Sequence, residues 1–224
     1  MTGGIAKVMT NEELIRIPIR ESGEPLVNIA EKVRNAVIDI ENISKNEQNI
    51  PDGTCMLRLT AVIMLKSAAI ALPKGFRFRI TDGYRPIEAQ KKLYNQVMEE
   101  IRVKNPQLSE EELCTETDKW VANPKVVPPH TTGGALDLTI LDGNGNELDM
   151  GTPINTVSPM ANMVCDSLSA NQASNRQLLI TTMVSAGFVG NPREWWHWSY
   201  GDRRWASVNR TNALYGSVGD ESVH

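Results

Sequence analysis

Apolar and polar residues change their period several times along this chain, and each change predicts an element. Over 54–72, TCMLRLTAVIMLKSAAIAL is rich in Ala and Leu, with apolar residues on most faces of a helical wheel. That is the pattern of a helix largely surrounded by protein, and Pro73 and Gly75 stop it. At 76–84 the period falls to two: Phe76, Phe78 and Ile80 alternate with Arg77, Arg79 and Thr81. A half-buried strand is expected there, turned by Asp82-Gly83. Pro86 suits the first turn of a helix running to about Val103, because that position needs no N–H. Ser109 followed by three glutamates reads as a capped helix start with acids near its positive end. NPKVVPP at 123–129 is a proline-rich loop. The alternation returns in GALDLTIL at 134–141; DGNGN then predicts a tight hairpin turn, with ELDM as the returning strand. A helix is expected over 175–186, ended by Gly187, and a last strand over 195–200. Residues 29–40 suit helix or strand alike.

Helices and antiparallel hairpins segregate along the chain, which makes the class α+β. The 224 residues fit one domain, 1–224, with a sizeable core. Residues 1–24 mix Gly, Pro and charges and read as an extended N-terminal arm, and 216–224 as a flexible tail. Net charge is −4 and no Lys or Arg run exceeds two, which argues against nucleic acid or a membrane surface as partner. Cys55, Cys114 and Cys165 show no Cys-x-x-Cys spacing, so neither a disulfide framework nor an all-thiolate zinc site is expected. The first thirty residues are too charged for a signal-peptide hydrophobic region, and no apolar run reaches membrane-spanning length. A cytoplasmic protein is therefore expected.

Four of the five tryptophans crowd into REWWHWSYGDRRW at 193–205, together with one of only three histidines. Packing and shielding account for the tryptophans. The histidine is different, because it can complete a set. In PHTTGGALD, His130 lies in a loop and Asp137 in the following strand, with adjacent glycines that let the backbone bend between them. Taken alone, that stretch reads equally well as a turn with a solvated Asp and a satisfied loop His. His224 is the last residue, so both internal histidines, His130 and His197, fall inside these two motifs. With Asp137 they would make a zinc shell of two imidazoles and one carboxylate, leaving the fourth position for water. Glu194 would stand beside it as an unliganded base, provided it sits in the turn after Gly190-Asn191-Pro192, since residues three apart on a regular strand point oppositely. Arg85, in TDGYRP, reads either as a surface ion-pair partner of Asp82 or as a guanidinium aimed at developing negative charge.

With DGYRP, HTTGGALD and EWWHW in that order, the sequence resembles the zinc D-alanyl-D-alanine dipeptidases over roughly residues 25–215. These belong to the wider D,D-peptidase group, whose fold the hedgehog signalling domain shares. The resemblance implies a central antiparallel sheet flanked by helices and one Zn2+ per chain on His130, Asp137 and His197. It also implies Glu194 as catalytic base, Arg85 as oxyanion stabiliser, and a small D-peptide as substrate. Two positions depart from the family pattern. Its serine two places before the first ligand is Pro128 here, and the Asp that helps hold the substrate ammonium is Asn155, in MGTPIN. Asn offers a hydrogen bond but no full charge. The alternatives are a D,D-carboxypeptidase or endopeptidase acting on peptidoglycan stem peptides, or a zinc-bearing module without catalysis, against which Glu194 and Arg85 speak.

Overall fold

The computed structural model describes residues 4–33, 38–40 and 55–219. Five strands form the main sheet in the order β2-β4-β5-β7-β6: β2 (Ile38–Ile40), β4 (Arg77–Asp82), β5 (Ala135–Leu141), β7 (Glu194–Ser199) and β6 (Val189–Asn191). A two-stranded sheet pairs β1 (Leu26–Asn28) with β3 (Met56–Arg58). The class is α+β, as the pattern predicts, but the main sheet is mixed. β2 runs parallel to β4, and the other pairs are antiparallel. A parallel pair needs a crossover connection rather than a tight turn, and the helix Leu59–Ala71 lies in the chain between those two strands.

The expected helix over 54–72 begins as strand. Met56–Arg58 pairs with β1 before the helix opens at Leu59, with Arg58 as an N-cap that makes no side-chain cap bond. Ala61, Val62, Leu65, Ala68 and Ala69 of this helix are buried, and they join Phe78, Ile80, Leu136, Leu138, Ile140 and the three tryptophans of β7 in one core. Pro86 occupies the N-cap of Ile87–Lys104 rather than the first turn. Ser109 caps Glu110–Thr117 reciprocally with Glu112. The helix expected over 175–186 starts earlier, at Ala170, on a second capping box between Ser169 and Gln172. The hairpin expected after DGNGN shrinks to one bridge, Leu141 with Glu147. β7 already occupies the Ala135–Asp137 half of that edge of β5, so ELDM has only its last residues to pair with.

Within residues 1–24 the chain forms a short helix, Asn11–Ile15, capped by Thr10 and Glu13. Ile5 bridges Gly190 and Ile19 bridges Ala213. Gly216 and Val218 donate to Glu21 and to the Thr131 carbonyl. His224 lies outside the described residues. No described helix is long and apolar enough to cross a membrane.

Candidate functional site

Three neighbouring strands carry the site. Asp137 on β5 pairs directly with His197 on β7, and with Asp82 on β4. Directly opposed residues of an antiparallel pair share a face, with Cβ atoms about 4.5–5.5 Å apart, so the three side chains form a row across the sheet. Asp82 enters that row only because β4 carries a bulge. Ile80 pairs with Leu138, so regular pairing would set Thr81 opposite Asp137 and leave Asp82 on the core face with Phe78 and Ile80. One extra residue moves Asp82 to the site face. The alternation of FRFRITD could not reveal that slip.

His130 reaches the same point from the loop side. It sits in a 3-10 turn, Pro129–Thr132, that Gly133 ends in the left-handed conformation at φ 70°. A side chain at Gly133 would be strained there and would collide with Leu26. The Arg85 N–H donates to the His130 carbonyl at 3.0 Å, and the Arg58 N–H to the Gly133 carbonyl at 2.8 Å. These bonds lock the turn against β3 and β4.

The resulting cluster is tight. His130 Nε2 lies 3.2 Å from His197 Nδ1, which lies 3.0 Å from Asp137 Oδ1. His130 Nε2 is 3.5 Å from the same carboxylate oxygen. All three residues are buried. His130 Nδ1 is 2.8 Å from the Gly83 carbonyl. A carbonyl only accepts, so Nδ1 carries the hydrogen and Nε2 presents a lone pair to the cluster when the ring is neutral. This outer bond is the kind that orients a metal-ligating imidazole. Gly83 is required for the approach: a Cβ there would lie 2.5 Å from Cys55 Sγ.

Two nitrogen donors and an oxygen donor converging in a buried spot suit a divalent cation, and the chemistry of the set matches a zinc site with an open position. Burial opposes ionisation of Asp137, but the two imidazoles outweigh it and hold the carboxyl far below the usual range. Burial likewise opposes charge on His130, yet Asp137 and Asp82 raise its pKa. Cys55 is buried nearby. Desolvation first, then Asp82 and Asp137, push its thiol well above the usual range, so it stays neutral.

Arg85 is joined to the row through Asp82. Its Nη2 donates to Asp82 Oδ2 and its Nη1 to Gln90 Oε1 at 2.7 Å. The ion pair that the turn suggested therefore exists, but it is largely shielded, with 14% and 6% of the two side chains exposed. Glu194 closes the turn from β6. It pairs with Asn191, and its Oε2 accepts from Asn191 Nδ2 at 2.6 Å. Glu194 is thus the first paired residue of β7, one place beyond the Pro192–Arg193 turn rather than within it. Trp195, Trp196 and Trp198 are buried in the core; Trp195 donates to Thr152 Oγ1 at 2.9 Å and stacks beneath Arg176. Asn155 adopts φ 64°, a left-handed conformation that Asn tolerates better than most residues.

An α+β fold with a buried donor set of two imidazoles and a carboxylate suits a metal-dependent hydrolase. Residues 28–215 match the peptidase M15 family model, described as D-ala-D-ala dipeptidase, and the chain belongs to that family. The D-alanyl-D-alanine dipeptidase of Synechocystis sp. is 30% identical over 217 residues, covering 86% of this chain and 88% of that protein. The D-alanyl-D-alanine dipeptidase of Escherichia coli K12 is 33% identical over 144 residues, covering 64% of this chain and 65% of that one. Among solved structures, a vancomycin resistance D,D-pentapeptidase in complex with Zn(II) aligns with a TM-score of 0.42 and 18% identity, covering 72% of this chain and 80% of that one.

Proposed function

We propose that this chain hydrolyses D-alanyl-D-alanine, or a closely related D-amino-acid dipeptide, to free amino acids, and that residues 1–224 act as one zinc-peptidase domain. His130, Asp137 and His197 would hold one zinc ion. Bound there, zinc supplies Lewis acidity, lowering the pKa of a water and polarising the substrate carbonyl. Glu194 takes the proton of the attacking water and later delivers it to the departing amine nitrogen, acting first as base and then as acid. Arg85 faces the oxygen on which negative charge grows. A guanidinium has five N–H donors, and Asp82 and Gln90 hold it while leaving others for the substrate.

The observation that carries this reading is the meeting of three lone-pair donors at one buried point, in a chain of the M15 family. Asn155 lacks the charge to anchor a substrate ammonium, so selection for a free amino terminus is expected to be weak. Feeding D-Ala-D-Ala and a stem pentapeptide separately, with mass detection of released D-alanine, tests the substrate. The dipeptide should be cleaved, chelator should abolish the turnover, and zinc should restore it. Turnover untouched by chelator, or confined to the pentapeptide, would overturn the assignment.

A further inference from the structure

Glu194 is held by a chain of side chains that the catalytic reading does not use. Asn191 is buried at the end of β6. Its Oδ1 accepts from Arg204 Nη1 at 2.8 Å and from the Arg193 N–H at 3.2 Å. Guanidinium and backbone N–H only donate, so the amide orientation is fixed and Nδ2 must face Glu194. It does so at 2.6 Å on Oε2.

This geometry separates two tasks. A guanidinium bonded directly to the carboxylate would occupy the oxygens that a water needs. A neutral amide between them passes on the orientation without the direct ion pair. Arg204 aligns Asn191, Asn191 fixes one carboxylate oxygen, and the other oxygen takes no hydrogen bond among the described residues. That second oxygen is the one available to a water. Asn191 also sits where β6 and β7 fall out of register, and it is the residue that pairs with Glu194 across the turn.

We infer that Asn191, itself oriented by Arg204, is the positioning residue for Glu194. The inference rests on the reading of Glu194 as the base. Asn191→Ala should lower kcat by roughly 10- to 100-fold, the usual cost of losing an outer-shell partner. KM and zinc content should stay at wild-type levels. Asn191→Asp keeps the shape and the Arg204 contact but removes the donor, so it should lower kcat at least as far; it also keeps the test open should the alanine variant fold poorly. In a Glu194→Ala background, Asn191→Ala should change kcat by less than about twofold, because coupled residues are not additive. The Asn191 side-chain amide resonance should also shift between wild type and Glu194→Ala with zinc absent.

Wild-type kcat in Asn191→Asp would overturn the inference. So would a loss in Asn191→Ala that persists undiminished without Glu194, while leaving Glu194 itself as the base. Wild-type turnover in Glu194→Ala would remove both.

Discussion

Arg176 and the His130–Asp137–His197 cluster are both buried and polar, yet their hydrogen bonds close in different ways. The guanidinium of Arg176 spends Nε on the Met150 carbonyl, Nη1 on the Asn162 carbonyl and Nη2 on the Met160 carbonyl, while its plane lies over Trp195. Each of its three nitrogens donates to one carbonyl, and the result is a clamp on the loop that carries Thr152 and Asn155. In the histidine cluster, His130 Nε2, His197 Nδ1 and Asp137 Oδ1 turn toward each other, three atoms that can each offer a lone pair to a cation, and the outer ring nitrogen of His130 is already committed to Gly83. Burying convergent acceptors is costly unless something positive sits among them. Burial alone therefore does not mark a site; the direction in which lone pairs point does.

Four substitutions test that contrast, and the largest effect belongs to the cluster. His197→Ala should reduce bound zinc from about one per chain to near none and bring turnover to background, measured by elemental analysis beside an activity assay. A variant that keeps full zinc would break the contrast at its root. Glu194→Ala should keep the metal and lose roughly 100- to 10,000-fold in kcat, the range of general acid–base contributions. Arg85→Ala should also keep the metal and lose roughly 100- to 1000-fold, as when one preorganised donor is removed. Retention of zinc in both, against its loss in His197→Ala, separates chemistry from coordination. Arg176→Met should act on stability instead, at about 1–3 kcal/mol for each carbonyl left unsatisfied. Its melting temperature should fall while zinc stoichiometry in the folded fraction stays unchanged. Loss of zinc there, without loss of stability, would mean that the clamp belongs to the site.

The elements that position the site were legible where one period held over several residues. FRFRITD and ALDLTIL alternate cleanly, and both are strands within a residue or two of expectation. Elements without such a stretch were hidden. Met56–Arg58 runs into its helix with no breaking residue, so strand and helix shared one apolar run. The early turns of Ala170–Ser185 are polar, and only the Ser169–Gln172 cap marks their start. In the cluster, His130, Asp137 and His197 stood out because histidine is scarce and the Gly-Gly bend offered a route for convergence. Asp82 was legible only as a local partner of Arg85, since its place beside Asp137 depends on a bulge that no residue pattern announces. Asn191 and Arg204 were invisible for a similar reason: their roles arise from hydrogen-bond direction across a turn and a later helix.

X-ray absorption at the zinc edge, on protein loaded with one equivalent of zinc, tests the central claim most directly. The account predicts a shell of nitrogen and oxygen neighbours at roughly 2.0–2.2 Å with two imidazole signatures. A sulfur neighbour near about 2.3 Å, which would implicate Cys55, or failure to bind a stoichiometric ion at all, would contradict it.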